Sequence, residues 1–189
     1  HDKFVEPMLD YVVEDFVRSR TRFGDDSIGG MVVCDSSDQA ETMFKIFVNK
    51  YSPDQHVLEP VSKYKAISEP APVYQTYTDR QKKKLIASLI LYDVGSTQER
   101  KNEIEDFKAG KIDLLFVYNI LLTGFDAKRL KKLYIGRLVK DHNLLQTLTR
   151  VNRPYMNFRY GYVVDFADIR KEFDATNKAY FDELQAELG

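Results

Sequence analysis

The chain has 189 residues, 43% hydrophobic and 30% charged, with 28 Lys and Arg against 29 Asp and Glu for a formal net charge of -1. That length suits one domain with a sizeable core, and the composition argues against disorder, while no stretch approaches the roughly 20 apolar residues that span a bilayer. Cys34 is alone and His1, His56 and His142 are scattered, which sets aside a disulfide framework and a Cys- or His-built metal centre and makes a reducing, cytoplasmic setting the expectation.

Spacing predicts an amphipathic helix over 2–22, with Met8, Leu9, Val12, Val13, Phe16 and Val17 on one side, broken from Gly24 to Asp26. Ile28–Cys34 is a short apolar run bounded by glycine and Asp35, the pattern of a buried strand. Ser36-Ser37-Asp38-Gln39 offers a helix start with capping-box spacing, and Ala40, Met43, Phe44, Phe47 and Val48 follow at helical intervals. Residues 51–84 hold four of the six prolines (Pro53, Pro60, Pro70, Pro72) and no apolar period. They are expected to be an insertion with a short helix around Asp79–Lys84.

Ile86–Tyr92 resumes as a strand, and Ser96-x-x-Glu99 starts a polar helix that ends at Ala109-Gly110. Ile112–Tyr118 and Leu130–Ile135 read as strands, and a helix runs from Asp141 to about Arg153, where Pro154 forces the chain out of helical geometry. Tyr162–Phe166 is the last strand and about 169–188 the last helix. Five apolar strands alternating with helices predict an α/β fold: a parallel sheet of about five or more strands with helices on both faces. The expected organisation is a leading helix over 1–27, the domain proper over 28–170 with its insertion, and a C-terminal helix over 171–189.

The balanced charge hides an asymmetry. Residues 119–160 carry nine basic side chains (Lys128, Arg129, Lys131, Lys132, Arg137, Lys140, Arg150, Arg153, Arg159) against Asp126 and Asp141. Such a local excess fits a surface that attracts the phosphates of a nucleotide or nucleic acid. It fits equally a solvated face paired with the acidic C-terminal helix.

In an open parallel sheet ligands meet the carboxyl ends of the strands, which directs attention to two segments. Leu122-Thr123-Gly124-Phe125-Asp126 follows the strand ending at Tyr118; Gly124 permits close backbone approach, and Asp126 offers an acceptor to a hydroxyl or a cation. On the helix ended by Pro154, Gln146, Arg150 and Arg153 fall within an arc of roughly 60°, while Leu144, Leu145, Leu148 and Val151 lie opposite and anchor it. Two permanently charged, fork-shaped guanidiniums on a packed helix suit the charge that develops in phosphoryl transfer. The plainer alternative is a pair of surface arginines bonded to nearby carboxylates.

Other signatures are missing. Gly24 and Gly29 have the glycine spacing of a phosphate-binding loop, but Gly30 stands where its lysine belongs. Asp182-Glu183 lies in the last helix rather than after a strand, and there is no nucleophile elbow or zinc motif. Asp106-Phe107-Lys108 and Asp126-Ala127-Lys128 mimic a nuclease pattern without an acidic partner. Half of a nucleotide site without the other half points to a fragment of a larger ATPase.

Thr123-Gly124-Phe125-Asp126-Ala127, then Lys140-Asp141-His142-Asn143-Leu144-Leu145-Gln146 and Arg150-Val151-Asn152-Arg153-Pro154, resemble the motor (R) subunit of type I restriction-modification enzymes, and Tyr162–Phe166 looks like that family's next strand. The resemblance spans about 86–170 and extends to 28–50. It implies the second RecA-like domain of a superfamily 2 translocase that hydrolyses ATP with Mg2+ to pull double-stranded DNA. Methylation and specificity subunits are the implied partners, and no membrane is involved.

On this resemblance Gly124 and Asp126 match helicase motif V beside the nucleotide, and Thr123 contacts the DNA backbone. Gln146, Arg150 and Arg153 match motif VI, whose arginines act as fingers on the γ-phosphate. Ser36 and Ser37, after Asp35, stand where motif IV places a helix N-terminus near DNA phosphates. Thr149 replaces the glycine of the common helicase Gln-x-x-Gly-Arg pattern. The P-loop domain, which would bind most of the nucleotide, and the nuclease domain lie N-terminal in that family and outside this chain, so the fragment alone is expected to be inactive. The alternatives are the C-terminal domain of another superfamily 2 DNA or RNA helicase, or a degenerate RecA-like module that binds nucleic acid without an ATPase role.

Overall fold

A computed structural model describes residues 4–52, 84–120 and 125–188. Helix α1 (Val5–Phe23) leads into β1 (Gly29–Val33), α2 (Ser37–Tyr51), β2 (Ala87–Ile90), α3 (Thr97–Lys108), β3 (Leu114–Val117), β4 (Leu130–Ile135), α4 (Asp141–Val151), β5 (Tyr162–Asp165) and α5 (Arg170–Leu188). The strands form one sheet in the order β2-β3-β1-β4-β5, every neighbouring pair parallel. The predicted insertion and its short helix at 79–84 lie almost wholly outside the described residues; Tyr51 ends α2 and Ser52 caps it.

The run-on apolar strands are explained by burial on both faces. Met31, Val33, Leu115, Val117, Leu133 and Ile135 point into one core with Phe107, Leu144 and Val151. The intervening Val32, Leu114, Phe116 and Tyr134 point into a second core filled by α1 and α2. Alternation across the pleat thus builds two cores from one sheet. The expected continuous burial fails at β5: as the outermost strand it alternates half-buried and exposed, and Val163 is open to solvent.

Local signals set the helix ends. Ser36 Oγ accepts from the Gln39 amide to start α2, although the Gln39 side chain accepts from the Asp35 amide rather than from Ser36. Ser96 and Glu99 complete a reciprocal capping box on α3. Gly24, at φ 63°, ends α1 in the left-handed conformation that glycine adopts without strain. Along α1 the expected stripe is buried at Leu9, Val12, Val13 and Phe16, but Val17 is exposed and the stripe continues instead through Arg20. Arg20 reaches the Ile28 carbonyl at 2.6 Å and Asp113 at 2.5 Å, tying the helix end to the starts of β1 and β3.

Candidate nucleotide-facing site at the end of α4

Helix α4 presents its faces as its period predicts. Leu144, Thr147 and Val151 are buried and Leu148 packs beside them, whereas Gln146 is exposed and Arg150 half-buried. Complete burial of side chains such as Leu144 and Val151 contributes roughly 1.5–3 kcal/mol each, enough to hold the helix as a rigid platform. The helix ends at Val151 with Asn152 as its cap, so Arg153 and Pro154 lie just past its last turn. Two contacts pin that end. The backbone at Gly161 runs so close to the Val151 carbonyl group that an added Cβ would collide with it. The Lys131 ammonium, fully buried in β4, donates to the carbonyls of Val151 (3.1 Å) and Arg153.

The structure brings two of the predicted segments together. Arg153 forms an ion pair with Asp126, and Arg150 donates to the carbonyl of Phe125. Phe125 is itself buried, with its ring 5.9 Å from Phe107, so the segment before β4 is anchored in the same core as α4. The pair remains wet: 43% of the Arg153 side chain and 58% of Asp126 are exposed. Burial, reinforced by the neighbouring Arg153 charge, lowers the Arg150 pKa from its ordinary value, with Asp126 opposing. Guanidinium stays protonated in proteins nonetheless. Two cations and one carboxylate thus share a small surface able to offer forked donors to an anion, with Asp126 as a competing acceptor.

The location departs from the carboxyl-end expectation. Asp126 immediately precedes β4, and the residues after α4 contact the approach to β1, where the Tyr155 hydroxyl meets Ser27 Oγ at 3.2 Å. The arginine cluster therefore sits at the amino ends of the strands. A parallel crossover helix runs back along the sheet, so the C-terminus of α4 must arrive at that edge. Ser36 and Ser37, by contrast, lie at the carboxyl end of β1, across the sheet. Thr123 and Gly124 fall outside the described residues.

Three of the nine basic side chains fall outside both readings of the basic stretch. Arg129, Lys131 and Lys132 are buried. Arg129 donates to the carbonyls of Ser27 (2.7 Å), Phe107 (2.6 Å) and Ile112 (2.5 Å), and Lys132 pairs with Asp15 of α1 at 2.6 Å. These cations face neither DNA nor the acidic C-terminal helix; the counts could not separate them from Lys128, Lys140 and Arg159, which are exposed. The nuclease-like Asp106-Phe107-Lys108 is structural, with Phe107 buried and Asp106 paired with Lys111 at 2.8 Å. Among the described residues no group of three His, Cys, Asp or Glu is placed to hold a metal ion, and no helix is long and apolar enough to cross a membrane.

A five-stranded parallel sheet with this order and these helices is the RecA-like fold of helicase second domains. The chain superposes on S. cerevisiae Dbp5 bound to RNA and ADP BeF3 with a TM-score of 0.57 at 13% identity, covering 92% of this chain and 36% of that one. It superposes on Mss116p DEAD-box helicase domain 2 bound to an RNA duplex with the same TM-score and identity, covering 92% and 57%. The sequence matches the family described as type I restriction enzyme subunit R domain 3 over residues 27–168, and the chain belongs to that family.

Among curated relatives, a type I restriction enzyme endonuclease subunit of Staphylococcus aureus (strain COL) is 40% identical over 75 residues, covering 39% of this chain and 8% of the relative. A putative one of Methanocaldococcus jannaschii is 42% identical over 67 residues, covering 35% and 6%. The chain spans less than a tenth of the length of these relatives.

Proposed function

We propose that this chain is the second motor domain of an ATP-dependent, double-stranded-DNA-translocating restriction endonuclease subunit, and that Arg153 and Arg150 act as arginine fingers. The observation that carries the reading is the union of the Asp126 segment with the α4 arginines at one half-exposed surface. ATP and Mg2+ would be held mainly by a P-loop domain elsewhere in the subunit, and the nucleotide would supply the γ-phosphoryl group, which passes to water while ADP leaves. Half-exposed guanidiniums on a packed helix fit that anionic group.

On this chain Arg153 exchanges the Asp126 carboxylate for phosphate oxygens and stabilises the charge that builds on them. Arg150 holds the segment in register through the Phe125 carbonyl and joins Arg153 at the phosphate oxygens, and Gln146, one turn earlier on the same face, contacts the nucleotide or its water. Gly124 and Asp126 line the ribose side. Ser36 and Ser37, at the start of α2, and Thr123 contact DNA phosphates, an assignment supported by the orphan amides of a helix N-terminus. The subunit works in the cytoplasm with methylation and specificity subunits.

A second reading rests on the same ion pair: Arg153 is a clip that fastens Asp126 to α4 and touches no phosphate. Arg153→Ala and Arg153→Lys in the full-length subunit separate the two. The finger reading expects DNA-stimulated ATP turnover to fall by about a thousandfold or more in Arg153→Ala. It expects most of that loss in Arg153→Lys, because an ammonium lacks the planar fork. Near-normal turnover in Arg153→Ala, or full rescue by lysine, rejects the finger.

A further inference from the structure

We propose that Lys131 is a positioning residue for the α4 arginines, fixing the backbone from which Arg153 departs; the proposal rests on the finger reading above. Lys131 is completely buried, yet among the described residues no carboxylate pairs with it. The adjacent Lys132 has the usual arrangement for a buried cation, an ion pair with Asp15. The Lys131 ammonium is instead satisfied by the carbonyls of Val151 and of Arg153 itself. The first is a last-turn carbonyl that no helical amide reaches, and the second lies just past the cap Asn152, both at the negative end of the helix dipole.

The pleat of β4 delivers this lysine to α4, and a bulge sits beside it. Gly29 pairs with Leu130 but Gly30 pairs with Lys132, so the register slips and Lys131 has no opposite residue in β1. Leu130 and Leu133 face the α4 core, and Lys132 and Tyr134 face Asp15 of α1. Lys131 keeps the alternation of Leu133 and Ile135 and so points to the α4 face, under the end of that helix; at the bulge it is Leu130 that steps out of phase and joins the same face. Burial lowers its pKa from the ordinary value, and the carbonyls on which it rests favour the charged form. A buried cation that grips the peptide unit of Arg153, opposite the close approach of Gly161, sets the direction in which that side chain leaves the helix.

The test uses the full-length subunit with Lys131→Met, Lys131→Gln, Arg153→Ala and the double variant Lys131→Met/Arg153→Ala. DNA-stimulated turnover at saturating ATP is read beside affinity for a non-hydrolysable ATP analogue. Lys131→Met is expected to slow turnover by about tenfold to a hundredfold, as a small misplacement of a catalytic group does, with analogue affinity nearly unchanged. The double variant is expected to be no slower than Arg153→Ala alone, and Lys131→Gln, which keeps a donor, to recover part of the rate.

A Lys131→Met enzyme as fast as wild type beside a dead Arg153→Ala overturns the positioning role and leaves the finger standing. Losses that multiply in the double variant overturn it as well. Normal turnover in Arg153→Ala removes the finger and this proposal together. Should Lys131→Met fail to fold, Lys131→Gln carries the test. Slowed turnover with intact analogue binding upholds the role, and wild-type turnover overturns it.

Discussion

Arg129 and Arg153 both serve the amino end of the sheet, yet one is 3% exposed and the other keeps 43% of its side chain in solvent. Arg129 donates to three backbone carbonyls, two from the approaches to β1 and β3 and one from the last turn of α3, and its ring-stacking partner Phe107 lies 4.9 Å away. Arg153 holds a single, half-exposed carboxylate. A guanidinium whose donors are all engaged by backbone works as a staple. One held by a lone solvated carboxylate can change partner at small cost, as a residue meeting a transient anion must. Side-chain charge is identical in the two cases; what differs is the acceptor and its access to water.

Removing the staple tests that contrast most severely. Arg129→Met strands the carbonyls of Ser27, Phe107 and Ile112 away from water and is expected to cost at least about 3 kcal/mol in a denaturant unfolding experiment. Gly161→Ala comes next: its methyl collides with Val151 backbone, so α4 or β5 must shift, at about 1–3 kcal/mol with a matching fall in melting temperature. Arg153→Ala, disabling for turnover on the finger reading, is expected to change stability by less than about 1 kcal/mol because its pair is exposed. A large destabilisation there would erase the distinction between staple and finger.

An effect confined to alkaline pH concerns Cys34. Burial, with the Asp35 charge adding, pushes the thiol from 9.0 up to about 12. The unfolded thiol therefore loses its proton first, and this contribution to stability is intact below pH 9 and lost as pH rises towards 12. Unfolding measured at pH 8 and pH 10.5 should show a steeper decline in wild type than in Cys34→Ala. Equal slopes would mean that the thiol is not held in a dry site.

Much of the architecture could be read from spacing. The 3.6-residue stripe of Leu144, Leu148 and Val151 identified the packed face of α4, and Ser36 and Ser96 marked true helix starts because their hydroxyls cap amides three residues on. The pairing of Asp126 with Arg153 joins positions 27 residues apart and left no periodic trace; only the motif resemblance placed them in one site. Lys131 was harder still. Leu130–Ile135 read as a strand, and its alternation puts the two lysines on opposite faces, but nothing in residue type shows that both are buried or that Lys131 rests on backbone carbonyls. The charge excess misled for a related reason: backbone carbonyls carry no formal charge, so a count of ionisable side chains cannot show that they hold a cation inside.

The two termini of α4 are held very differently. Lys140, its N-cap, contributes no side-chain hydrogen bond, whereas the opposite terminus is gripped by Lys131 and wedged on Gly161. Fraying must begin at the Asp141 turn and lose strength along three turns before it reaches the guanidiniums. The first turn thereby serves as a shock absorber, leaving the pair of arginines on the quietest part of a helix whose middle is already fixed by the buried Leu144 and Thr147.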